Sequence, residues 1–146
     1  YHINITGAGD LFLSTDDLTE VLAHTWHRNT GAIGIALCCC VDATINGDGT
    51  FSLGSEPPTG LQIEKTAQVI ALLADVLGLP IDAEHVLTHA EVGDLDGYGP
   101  AKIGTEDFEK WDLWRLPDYD GEWREGGDVL RGKANWYLNG PSHNEA

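Results

Sequence analysis

Chemistry in this chain has to be built from a few side chains, and His89, Asp112 and Lys110 are the first to consider. His89 follows Val86-Leu87-Thr88, a short apolar run expected to form a strand, and precedes a Gly-rich, acidic stretch. Side chains displayed where a rigid element meets a loop often carry function. A lone histidine so placed is more often structural, so His89 alone does not define a site. Asp112 lies between Trp111 and Leu113. A carboxylate in apolar surroundings needs a partner, because burying it unpaired is costly; a metal ion or an arginine would serve. Lys110 stands two residues earlier, and on an extended segment residues two apart share a face. Lys110 and Asp112 can then point into one site. His24 and His27 flank Trp26 as an H-x-x-H pair, but without a helix or a third ligand. Asp94-Leu95-Asp96-Gly97 and Asn46-Gly47-Asp48-Gly49 have the flavour of calcium loops, yet lack the full spacing and the closing glutamate. There is no Gly-rich phosphate loop and no G-x-S-x-G elbow.

The elements that must position these residues can be read from periodicity. Tyr1-His2-Ile3-Asn4-Ile5 alternates as a strand does, Thr6 to Asp10 reads as a turn, and Leu11-Phe12-Leu13 as a returning strand. Ser14 followed by Asp17 predicts a brief helix towards Ala23, and residues 24–31 a loop. The apolar run from Ile33 to Val41 predicts a strand covered on both faces. Its three consecutive cysteines, Cys38 to Cys40, are expected to be small buried strand residues; neighbours on a strand point to opposite faces, which opposes a disulfide within the run. Residues 42–58, rich in Gly, Asn, Asp and Pro, predict a surface loop.

Thr59 and Gln62 form a T-x-x-Q helix start. Ile63, Ala67, Ile70, Ala74 and Leu77 then mark one helical face, widened by Val69, Leu72, Leu73 and Val76 into a deeply packed helix that Gly78 and Pro80 end. Residues 93–110 predict a long loop, and residues 117–146 an irregular C-terminal extension. The order of hairpin, strand, helix and strand predicts an α/β fold, a mixed central sheet with helices packed on it, in a single domain spanning 1–146.

Bulk composition narrows the function. A chain of 146 residues fits one core. Its 24 acidic and 8 basic residues give a formal charge of −16. That opposes nucleic-acid binding, which relies on clustered Lys and Arg, and equally opposes an anionic membrane surface. No apolar run approaches the roughly 20 residues of a membrane span, and no signal peptide is visible. The chain begins at Tyr1 and contains no Met, as expected of a processed chain or a fragment.

Taken together and in order, these segments resemble the zinc-dependent N-acetylmuramoyl-L-alanine amidase family, which includes the phage amidase lysozymes and the peptidoglycan recognition proteins. Tyr1-His2-Ile3-Asn4-Ile5 with its Gly-Ala-Gly-Asp turn is similar to that family's Tyr-His hairpin. Ala23-His24-Thr25, Asn29 and Ile33-Gly34-Ile35 resemble its His…Asn…Ile-Gly-Ile segment, and Thr59 to Gln62 its helix start. His85 to Val92 resembles its histidine-bearing strand, and Lys110-Trp111-Asp112 its basic-x-Asp end. The resemblance covers roughly residues 1–116.

It implies a peptidoglycan-cleaving enzyme with the following roles. His89 and Asp112 are zinc ligands. Lys110 is a catalytic cation for the developing oxyanion, and Tyr1 a catalytic residue that positions the attacking water. His24, at the lip of the substrate groove, and Asn29 bind substrate. In such sites three protein ligands leave a position open for water, whose pKa falls to roughly 7, while a nearby cation stabilises the tetrahedral oxyanion. The bond cut joins the lactyl group of N-acetylmuramic acid to L-alanine.

Two departures stand out. The family's first zinc histidine lies on a strand before the Tyr1-His2 hairpin, and no such segment precedes Tyr1 here. The 23 positions from His89 to Asp112 also exceed the usual spacing, so residues 93–109 read as an insertion. The alternative is therefore a non-catalytic peptidoglycan-binding module of the same fold. Either activity implies a monomer acting on the cell wall, outside the cytoplasm, reached as a phage lysin released from the host or by an export segment.

Overall fold

Alternating apolar residues and a doubly signalled helix start build the first part of the chain, in a computed structural model that describes residues 1–100 and 111–140. Two compact units emerge, one formed by Tyr1–Ile45 with Thr50–Thr66 and the other by Asn46–Gly49 with Ala67–Ala146. Mixed helix and strand content makes this an α/β protein, with three helices and three small sheets among the described residues.

In the first unit, β1 (Ile3–Ile5) is central, pairing antiparallel with β2 (Leu11–Leu13) and parallel with β3 (Ile35–Leu37). Ile3 and Ile5 face the core, as the alternation requires. The β1–β2 turn closes at Gly9, whose φ of 83° suits glycine. A small hairpin joins β4 (Thr44–Ile45) to β5 (Phe51–Ser52). Helix α1 (Gly60–Leu77) starts on a complete capping box: the Gln62 N–H donates to Thr59 Oγ1 at 3.0 Å, and the Thr59 N–H to Gln62 Oε1 at 3.2 Å. Gln62 is fully buried, and its Nε2 donates to Ile5 O at 2.7 Å and Cys38 O at 3.3 Å. One side chain thus both caps the helix and ties it to the sheet. His2 is equally buried. The Gly34 N–H donates to its Nδ1 at 2.9 Å, which assigns the ring proton to Nε2, the donor to Glu20 O at 2.7 Å.

Four expectations for the chain up to the end of α1 fail. The apolar run from Ile33 to Val41 yields only the three half-buried residues of β3. Cys38 is exposed, Cys39 and Cys40 are half-buried, and Cys40 turns the chain with φ 64°; no disulfide joins any of the three. No helix forms between Ser14 and Ala23. There Asp17 Oδ1 accepts from both the N–H and the hydroxyl of Thr19, a local arrangement that competes with helix. Along α1, Ile63, Ala67, Ile70 and Ala74 are buried as expected, but Leu72 and Val76 are 62% and 72% exposed, so the packed face is narrower than the apolar count implied.

The second unit contains the rest of α1, helix α2 (His89–Asp96), the hairpin of β6 (Arg115–Pro117) and β7 (Trp123–Glu125), and helix α3 (Gly126–Asn139). The segment expected to be irregular is therefore largely ordered. Leu116, Val129, Leu130 and Ala134 are buried at its core. Arg124 closes the hairpin by bonding Asp118 and, twice, Asp120. The Arg124 guanidinium holds the Asp120 carboxyl far below the usual carboxylate range. No helix among the described residues is long and apolar enough to cross a membrane.

Candidate functional site

His89 is delivered differently from the sequence expectation. No strand precedes it; it opens helix α2, with Thr88 as N-cap. The cause is a second capping box. The Glu91 N–H donates to Thr88 Oγ1 at 3.2 Å, and the Thr88 N–H donates to Glu91 Oε2 at 2.8 Å. Helix α2 then runs through Asp96 to a left-handed Gly97, so residues 93–96 are helix rather than loop, and Asp94 and Asp96 are exposed on it. The backbone doubles back so closely that a Cβ on Gly93 would stand 2.8 Å from Gly99 Cα. This brings Tyr98 beside His89, ring centroids 6.4 Å apart and nearly perpendicular.

Asp112 comes to meet this helix. It sits in a turn, with the Trp114 N–H donating to Trp111 O at 2.9 Å, and not on an extended segment. Its side chain is 55% exposed, so the apolar burial expected from its neighbours does not occur. Its carbonyl accepts from the Ala90 N–H at 3.3 Å, and its Oδ2 lies 2.9 Å from His89 Nδ1. An ionised carboxylate only accepts, so Nδ1 carries the proton of that bond. In the neutral ring Nε2 is then a lone-pair acceptor, and it is buried without a hydrogen-bond partner among the described residues.

Behind the pair lies a network that sequence reasoning missed. Arg131, on α3, donates to Glu91 Oε1 and Oε2 at 2.7 and 2.9 Å, to Asp128 Oδ1 at 2.9 Å and to Val86 O at 2.8 Å. The Glu91 hydrogen bonds above all, then those to Asp128, raise the Arg131 pKa against the opposing effect of burial. Thr88-His89-Ala90-Glu91 is a T-x-x-E signature, so half of this network was signalled in the sequence.

The remaining candidates fall in the first unit. Tyr1 is 41% exposed, with its ring 6.2 Å from that of His24; His24 is 5.8 Å from His2. The His24 ring is held by Leu22 O at 2.7 Å. Asn29 Oδ1 accepts from the backbone N–H groups of His24 and Thr25, at 2.9 and 2.8 Å, so Asn29 shapes the turn that presents His24. The structure brings Tyr1, His24 and Asn29 together in this unit, and His89 and Asp112 together in the other. Lys110 lies outside the described residues.

Zinc is the cofactor implied by the resemblance, and imidazole and carboxylate are ligands zinc accepts. The donor atoms that face each other are His89 Nδ1 and Asp112 Oδ2, 2.9 Å apart, whereas Nε2 lies on the other side of the ring and would not share an ion with Asp112. Among the described residues no group of three or more His, Cys, Asp or Glu is placed to hold a metal ion. The donor types therefore fit, for two of the three protein ligands that a catalytic zinc site uses. The chain matches no protein-family model, no curated protein and no solved structure.

Proposed function

We propose that this chain is a peptidoglycan amidase domain of the zinc-dependent kind, hydrolysing the amide between N-acetylmuramic acid and L-alanine. The observation that carries the reading is the meeting of His89 and Asp112 at 2.9 Å across 23 positions of sequence. These two residues are the ones the family resemblance singles out as ligands. Both would hold zinc, which when bound supplies an acidified water and polarises the amide carbonyl. The rest of the chemistry belongs to the protein. The capping box and Arg131 hold the first turn of α2, which carries His89, so that little reorganisation is needed when substrate arrives. The resemblance assigns Lys110 to the charge that develops on the carbonyl oxygen and Tyr1 to the attacking water, and we carry those two roles over as part of the proposal. His24, presented by the Asn29 turn, is proposed to contact the glycopeptide.

The test is digestion of purified peptidoglycan with the full chain, with and without added zinc, followed by assay for new amino-terminal L-alanine. Release that depends on zinc and is abolished by His89→Ala supports the reading. Retention on the wall without release supports the alternative, a binding module of the same kind. Absence of both binding and release refutes both.

A further inference from the structure

We infer that the first turns of α3 position the His89–Asp112 pair, with Gly127 and Arg131 setting one partner and Gly126 the other. The inference rests on reading that pair as the working centre. It begins from two adjacent glycines whose φ values are not positive, so backbone conformation does not require glycine at either. Alanine is the better helix former, but at each position a Cβ would collide with a neighbour.

A Cβ on Gly127 would overlap the Glu91 carboxylate. Both oxygens of that carboxylate are already in use: Oε2 takes the Thr88 N–H and Arg131, and Oε1 takes Arg131. Displacing them opens the capping box whose first helical residue is His89. A Cβ on Gly126 would overlap Leu113 O, and the Gly126 N–H donates to Trp114 O at 2.9 Å. Leu113 has φ 59°, an uncommon conformation for a branched side chain that persists only where its surroundings hold it. Asp112 is the residue immediately before it. Two consecutive positions on one helix therefore press on the two segments that carry the pair. Gly132, five residues further along α3, has no atom of the described residues within 4 Å of its would-be Cβ.

The experiment is NMR of the full chain without metal, following the hydrogen-bonded Nδ1 proton of His89, a signal that stability alone does not govern. Gly127→Ala should lose or strongly shift it at a temperature where the protein is folded, and Gly132→Ala should keep it. Glu91→Asp combined with Gly127→Ala should restore it, because a carboxylate one methylene shorter leaves room for the Cβ and still completes a capping box. Should Gly127→Ala not fold, Arg131→Lys carries the same expectation, since it keeps the charge and loses the two-pronged grip. A folded Gly127→Ala or Arg131→Lys with the parent signal, or equal loss in Gly132→Ala, would overturn the proposal. Zinc affinity gives a separate reading: Gly127→Ala should weaken it by about 10–100-fold, as removing an outer support of a metal ligand does. If the parent takes up no zinc, the amidase reading fails while the proton signal still decides the positioning role.

Discussion

Replacing Arg131 by methionine removes a guanidinium whose side chain is only 11% exposed and that makes four hydrogen bonds, two of them to Glu91. Breaking a buried ion pair from one side costs about 3–5 kcal/mol, because the other charge is left without its partner. Glu91 keeps some access to water, its side chain being 25% exposed, and retains the Thr88 N–H. That places the expected cost at the lower end, about 3 kcal/mol. For a chain of this size the melting temperature should fall by about 6–12 °C, at roughly 2–4 °C per kcal/mol. Thermal unfolding followed by circular dichroism measures this directly. The double variant Glu91→Leu with Arg131→Met removes both charges, and should be less destabilised than Arg131→Met alone despite losing half a cap. A fall below about 2 °C would show the pair behaving like a surface salt bridge. A double variant worse than the single would show that the stranded Glu91 charge was not the source of the cost. Either result refutes the reasoning.

Asp112→Asn should reduce bound zinc, whereas Asp94→Asn, on the exposed side of α2, should not; metal analysis of the purified variants decides, and the opposite pattern would move the ligand assignment to Asp94. Gln62→Leu should destabilise the protein by about 1–3 kcal/mol in a denaturant titration, because the Ile5 and Cys38 carbonyls lose a buried donor and the helix loses half its cap. Acid should also act through specific carboxylates. Ser55 holds Asp42 below its ordinary 3.8, as Thr19 does Asp17 and His85 does Asp82. With the folded-state values depressed, their stabilisation is complete above the unfolded value and is lost as pH falls through the folded one. Asp42→Asn should therefore lose less stability than the parent between about pH 4 and pH 2, in unfolding curves at the two pH values; equal losses would count against it.

The legible parts of this fold were those where one local rule sufficed. β1 follows from alternation, β2 from the turn that precedes it, and the start of α1 from T-x-x-Q, with Gly78 just past its end at φ 66°. The rule that found α1 also applied at Thr88, but the apolar Val86-Leu87 run argued for a strand and hid the helix that carries His89. Helix α3 was missed because its start is Gly126-Gly127, residues that read as loop when their neighbours in space are unknown. In the fold those glycines admit the Glu91 carboxylate and the Leu113 carbonyl. The candidate pair was legible as two residue types, while its geometry was not. The 2.9 Å contact between His89 and Asp112 depends on a turn with a left-handed Leu113, on the Ala90–Asp112 backbone bond and on an arginine more than forty positions from His89. Local propensity reports none of these, because each joins residues to neighbours that the sequence does not place beside them. The residues that look least chemical in the sequence are thus the ones that decide where the chemical ones stand.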